Sequence, residues 1–169
     1  MSIEDSWALI ADTGGVQPQN IVFDNEGSII VSGLARGDLG EARHTNSYGQ
    51  GDGFISKYSQ SGDIQWTVRT GGSDHSSVSD LAIDSENNIL STVYINNYEL
   101  GDSFALHKYN PSGQFLWSVD FDADEYATST GASVVALSDD SIVIAATTEA
   151  GLDGKDVFVA KYDPLGIFL

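Results

Sequence analysis

The segment KYSQSGDIQW, Lys57 to Trp66, is nearly rewritten as KYNPSGQFLW at 108–117 and once more as KYDPLGIFL at 161–169. A Lys-Tyr pair at 57, 108 and 161, each followed by a glycine four residues after the tyrosine, constrains the fold more than any other feature. A period near fifty residues marks a stack of repeated supersecondary units. Upstream of each pair, two short apolar runs are joined by a turn: NIVFDNEGSIIVSG at 20–33, DLAIDSENNILSTVY at 80–94 and SVVALSDDSIVIAAT at 133–147. They are rich in Val and Ile and bounded by Asp, Asn, Ser or Gly, the pattern of paired strands. A third strand is expected around 53–58, 103–109 and 156–162, and a fourth carries the indole at 63–69 and 114–121. The first strand of each unit is continuously apolar, which predicts cover on both faces. No segment has helical periodicity. Four antiparallel strands at this period predict an all-β fold built of β-propeller blades. Three blades are expected, at 19–70, 71–121 and 122–169, the last with a truncated fourth strand. They are preceded by an N-terminal strand within 1–18.

Each position of the repeat has a physical role. Gly62, Gly113 and Gly166 fall in the hairpin between third and fourth strands, where glycine supplies a positive φ at no steric cost. Trp66 and Trp117 follow, large enough to fill the space between neighbouring blades. Lys57, Lys108 and Lys161 lie on the opposite strand face from Tyr58, Tyr109 and Tyr162. Their stems can cover apolar surface while the ammonium meets a carboxylate. The motif therefore reads as a blade-to-blade fastener.

These residues resemble the SBBP repeat of bacterial β-propellers. The first copy fits best, with Asp52, Phe54, Lys57, Tyr58, Gly62 and Trp66 in place. The second carries one more residue between Phe104 and Lys108, which predicts a bulge. The third has Leu137 where Asp24 and Asp84 stand. The resemblance implies a module of a large secreted or surface protein, hence an extracellular or cell-surface location and a non-enzymatic scaffold or binding role. A weaker similarity links the Gly-x-x-x-Trp element to quinoprotein tryptophan-docking repeats, whose cofactor residues have no counterpart here. No cofactor is expected.

Charge narrows the partners. With 25 acidic and 7 basic side chains the net charge is −18, which repels nucleic acid and anionic membranes. No cysteine is present, so neither disulfides nor thiolate chemistry enter. The first residues carry neither the basic nor the apolar region of a signal peptide, and no apolar run reaches transmembrane length. SWALIADTGG at 6–15 resembles the fourth-strand run WTVRTGG at 66–72. Two readings follow: a fragment of a longer propeller with further blades in cis, or a ring of two chains in which this strand completes the partner's third blade.

Candidate ligand residues fall on the loops after second and fourth strands, which emerge at one end of the blades and are irregular, as binding loops are. The longest, ARGDLGEARHTNSYGQGDG at 35–53, holds Arg36, Arg43, His44 and Tyr48. His75, Tyr98 and Tyr126 belong to neighbouring loops, the tyrosines suited to stacking on a sugar. A protein or glycan is the expected ligand. Asp122, Asp124, Asp153 and Asp156 are weak candidates for a cation, with a solvated acidic loop as the plainer reading. Asp74, His75 and Ser76 are adjacent in sequence, unlike a triad assembled in space, so no catalytic residue is expected. DNEGS and DSENN read as Asx turns rather than calcium loops. The alternatives to a scaffold are a lectin-like propeller and an enzyme completed by further blades.

Overall fold

The computed structural model describes residues 15–36, 51–70, 75–97, 101–121, 132–148 and 156–169. Among these residues, eleven strands form three antiparallel sheets, and there is no helix. The first sheet runs in sequence order through β1 (Val16–Phe23), β2 (Ile29–Ala35), β3 (Asp52–Tyr58) and β4 (Ile64–Thr70). The middle sheet repeats that order with β5 (His75–Ile83), β6 (Ile89–Asn97), β7 (Gly101–Tyr109) and β8 (Phe115–Phe121). The last sheet contains β9 (Ser133–Ala136), β10 (Ile142–Thr148) and β11 (Asp156–Tyr162), with a single bridge from Tyr162 to Phe168 beyond it.

Alternation along each strand sends side chains to two faces, and the sheets stack through those faces. Val22, Ile30, Ile55, Trp66 and Val68 of the first sheet pack on Val78, Leu81, Ile89, Val93 and Tyr109 of the middle one. The opposite face of the middle sheet sets Leu90, Phe104, Leu106 and Phe121 against Val134, Ile142, Ile144 and Tyr162 of the last. Cover on both faces of the first strand, expected for all three units, holds best for the middle sheet. In β1 the side chains of Ile21 and Phe23 are exposed, as is Val135 in β9. The cause is position: only the middle sheet has a described sheet on either side.

The repeated residues make the seams. Gly62, Gly113 and Gly166 have φ of 89°, 79° and 82°. A Cβ on Gly113 would lie 2.9 Å from the Trp66 indole, and one on Gly166 would lie 3.2 Å from the Trp117 indole. Each tryptophan thus rests on the hairpin glycine of the following sheet. Trp66 Nε1 also donates to the Pro111 carbonyl at 3.1 Å. The lysine stands beside the indole in the ladder, Lys57 opposite Trp66 and Lys108 opposite Trp117. Lys57 Nζ lies 2.8 Å from Asp24 Oδ2 and Lys108 Nζ 2.9 Å from Asp84 Oδ2, all four side chains buried. The same ammonium groups reach the next sheet, Lys57 to Pro111 O at 3.4 Å and Lys108 to Pro164 O at 3.2 Å.

Asp24 and Asp84 also close their own turns as Asx acceptors. Asp24 Oδ1 takes the amides of Glu26 and Ser28 at 3.0 and 2.8 Å. Asp84 Oδ1 does the same for Glu86 and Asn88. Burial opposes ionisation of Asp24, but Lys57 and these amides outweigh it and hold the carboxyl below its ordinary range. At the turn's left-handed position, Asn87 (φ 64°) and Asp140 (φ 59°) extend the contact to the preceding sheet. Asn87 Oδ1 accepts from Asn25 N at 2.8 Å, and the Asp140 carboxylate accepts from Ser85 N at 2.9 Å and Ser85 Oγ at 2.6 Å.

The expected bulge between Phe104 and Lys108 is absent. β6 and β7 pair without a shift from Ile89–Tyr109 to Asn97–Gly101. The irregularity falls instead between Lys108 and Tyr109 on the β8 side, as it does between Lys57 and Tyr58 in the first sheet. With no bulge to absorb the offset, Phe104 faces the last sheet and stacks on Phe121 at 4.1 Å between centroids, whereas Phe54 pairs with Arg69 on the opposite kind of face. One residue of register exchanges the faces. His107 packs edge-on against Tyr109 and Phe115. Burial drives its pKa down against the pull of Asp120.

Lys57→Met should destabilise the protein by about 3 kcal/mol, because Asp24 is left buried without its cation. Lys161→Met should move the urea midpoint little, since Lys161 and Asp139 are 3.9 Å apart and solvated. Gly113→Ala should cost about 2 kcal/mol or more by the same assay, combining a left-handed backbone with displacement of the indole. Because the Asp24 pKa is depressed on folding, its contribution is present in full above the unfolded value near ~4 and is lost as pH falls through the folded one. Urea midpoints measured from neutral pH downward should fall in that window for the native protein, and less steeply for Asp24→Asn.

Candidate functional site

Strand topology separates two ends of the stack. The tight turns at 24–28, 84–88 and 137–141 share one end with the hairpins at 59–63, 110–114 and 163–167, while the connections after second and fourth strands emerge at the other. Of the sequence-derived ligand candidates, Arg43, His44, Tyr48, Tyr98 and Tyr126 lie outside the described residues, as do Asp122, Asp124 and Asp153. Arg36, His75 and Asp156 are described.

Arg36 and His75 both lie next to Gly51 at the loop end of the first and middle sheets. Arg36 follows β2, and its amide donates to Gly15 O at 3.1 Å. Gly51, at φ 93°, turns the chain into β3, and a Cβ there would lie 2.8 Å from Arg36 Cγ. His75 opens β5 and places Nδ1 3.0 Å from the Gly51 carbonyl. A carbonyl only accepts, so Nδ1 carries a proton in this contact. Asp156 begins β11 in the last sheet, opposite Thr148, and is exposed. It is remote in sequence and sheet from this pair.

Beneath Arg36 and His75 is a polar layer that sequence reading did not single out. Arg69 and Asp52 are both buried, with Nη1 3.7 Å from Oδ2. Arg69 Nη1 also donates to Ala35 O at 3.5 Å. Ser76 Oγ donates to Thr70 O at 2.6 Å and accepts from Gly53 N at 3.0 Å, stitching β5 to β3 and β4. Gly53 must be glycine, since a Cβ would lie 2.2 Å from Thr70 Oγ1. The available signal was the arginine in WTVRTGG, one of seven basic residues in the chain and set in a strand. In the middle sheet the corresponding end holds Tyr94, Asn96 and Asp102, with Tyr94 OH donating to Asp102 Oδ2 at 2.6 Å and Asn96 Nδ2 donating to Oδ1.

His75 and Ser76 are consecutive strand residues and point to opposite faces, so they cannot form a nucleophile–base pair. Among the described residues, no group of three His, Cys, Asp or Glu side chains is close enough to hold a metal ion. No helix of the described chain is long and apolar enough to cross a membrane. No family model matches the chain, and no curated protein matches it.

Arg69→Met should destabilise the first sheet by about 3 kcal/mol in urea unfolding by leaving Asp52 buried beside an apolar side chain. Arg36→Ala, at an exposed position, should leave the midpoint within about 0.5 kcal/mol.

Proposed function

We propose that the chain is a non-enzymatic β-propeller module of the SBBP type, a scaffold that presents a ligand-binding surface at its loop end, in a bacterial extracellular or cell-surface protein. One contrast carries this reading. The turn end is built from a repeating set of residues, Asp24 with Lys57 and Asp84 with Lys108, and each sheet hands the same contacts to the next. The loop end does not repeat: the first sheet holds an Arg69–Asp52 layer on the face turned away from the middle sheet, and the middle sheet holds a Tyr94–Asn96–Asp102 layer on the face turned toward the last. A scaffold requires a constant frame, and binding specificity resides in what the frame holds out. The ligand class is a protein or glycan surface, and the sheets act as blades.

Replacing residues 37–50 with a short Gly-Ser linker tests this division of labour. The expected result is a cooperative melt unchanged within about 2 °C, because the described seam contacts are made by other residues and the change in closure entropy is small. Loss of cooperativity would make the segment part of the core and end the scaffold reading. Turnover of chromogenic glycosides or esters that disappears in Asp52→Asn or His75→Ala would replace it with the enzyme reading.

A further inference from the structure

The two seams differ in one ionisable ring. Tyr58, Tyr109 and Tyr162 pair with Ile29, Ile89 and Ile142, which aligns the third strands of the three sheets. Two residues before each tyrosine stand Ser56, His107 and Ala160. Ser56 shares a hydrogen bond with Thr67 at 2.8 Å, and Ala160 is buried in the apolar filling. Only the middle sheet places an imidazole at this point. The ring lies on the face that Ile89, Val93 and Tyr109 turn toward the first sheet.

His107 is half-buried, with Nδ1 3.2 Å from Tyr109 OH and no hydrogen bond to Nε2 among the described residues. Directly across the ladder is Ser91, fully buried, whose Oγ has no partner among the described residues. Phe115 meets the ring edge-on at 5.7 Å. While the ring is neutral, Nδ1 can accept from the Tyr109 hydroxyl. Once protonated, both ring nitrogens donate, so the phenol oxygen must turn to accept and the second donor has no described acceptor. Tyr109 cannot neutralise the charge, because burial raises its own pKa above the ordinary phenol range. Asp120 on β8 draws a proton toward the ring, but burial opposes it more strongly. From β3 comes Lys57, whose ammonium is held by Asp24 and crosses the same seam to Pro111 O. β1, β2, β4 and β5 turn Val22, Ile30, Val68 and Leu81 toward it, all without charge. His75 adjoins the same two sheets at their loop end. Its Nδ1–H donates to Gly51 O in either charge state, so protonation leaves that contact intact.

We propose that His107 makes the seam between the first and middle sheets acid-sensitive: protonation leaves an unpaired cation there, and this seam loosens while the seam to the last sheet holds. Burial keeps the folded imidazole below its ordinary value near ~6.5. The loosened state therefore takes up the proton first. The contribution of the neutral ring is complete above that ordinary value and is lost as pH falls from it through the folded one. Asp24 acts in a separate window, near ~4 and below. Imidazole is the side chain whose charge changes in mildly acid solution, so this seam responds before the carboxylates do.

Nuclear magnetic resonance of the three imidazoles, titrated from about pH 8 to about pH 5, reads the proton directly. His44→Gln and His75→Gln assign the His107 signal by elimination, and its midpoint is expected below ~6.5. Amide hydrogen exchange, corrected for the intrinsic rate, is then compared at about pH 7.5 and about pH 5.5. On acidification the first sheet should lose protection at least about fivefold and the last sheet less than about twofold. His107→Gln keeps a hydrogen-bonding amide without a titrating group and should abolish the difference, whereas His75→Gln should leave it. A His107 midpoint at or above ~6.5 overturns the inference. So does equal loss of protection in the first and last sheets, or a difference that persists in His107→Gln. Should that variant fail to fold, the titration and exchange of the native protein still decide.

Discussion

A lysine ammonium buried beside an aspartate at the end of a strand is the constraint on which the repeat depends. Removing both charges from water is expensive and is tolerated only where geometry satisfies every remaining lone pair and proton. Asp24 divides its oxygens: Oδ1 accepts the amides of Glu26 and Ser28, and Oδ2 lies 2.8 Å from the Lys57 ammonium. One carboxylate therefore fixes the turn between first and second strands and ties it to the third. The ammonium continues to the Pro111 carbonyl of the next sheet, so the stacking distance is set by a polar contact as well as by apolar filling. Such a pair adds less net stability than its distance suggests. Its effect is to penalise every arrangement in which the next sheet is displaced.

The last sheet shows how the device behaves when one part is moved. Leu137 replaces the aspartate, and Asp139, two residues on, takes over the turn by accepting from the Ser141 amide and hydroxyl. The turn survives, with Asp140 in the left-handed position and its amide on Leu137 O at 2.9 Å. The ion pair does not survive in the same form, because Asp139 sits in solvent and is 3.9 Å from Lys161. Turn closure and lysine burial are thus separable functions that one residue performs in the other two sheets. Where no described sheet lies beyond, the second function has little to act upon.

The strands, their order and the role of Gly62, Gly113, Trp66 and Trp117 were legible because period-two alternation and a fixed spacing are local properties of the chain. Lys57 and Tyr58 fall on opposite faces as alternation requires, and the lysine finds its carboxylate. The Asn87 and Asp140 contacts to the preceding sheet were not legible, since they join turns more than fifty residues apart and nothing in DSENN or LSDDS announces a partner. The Arg69–Asp52 layer was hidden because a charged residue in an alternating strand reads as solvated. The bulge expected near Phe104 failed for a related reason: aligning aromatic residues by type assumes that they serve one face, and here they serve two. Of the loop residues proposed as ligand contacts, Arg36 and His75 lie among the described residues, each next to Gly51.

That register difference makes the two seams distinct despite a shared frame. Between the first and middle sheets the filling is mainly aliphatic, with Ile30, Ile55, Val78, Leu81 and Val93 in contact. Between the middle and last sheets, Phe104 stacks on Phe121, and Phe158 and Tyr162 approach Phe121 edge-on at 5.8 and 6.2 Å. Planar rings and branched aliphatic chains do not interdigitate equally well in one cavity, and mismatched volume costs stability through strain or voids. The lysine, indole and glycine therefore specify that one sheet stacks on another at a given spacing, and the apolar filling specifies which sheet it is. Identical fasteners alone would let the sheets pair out of order. The offset at Phe104 removes that ambiguity by giving one seam an aromatic core that the other cannot accept.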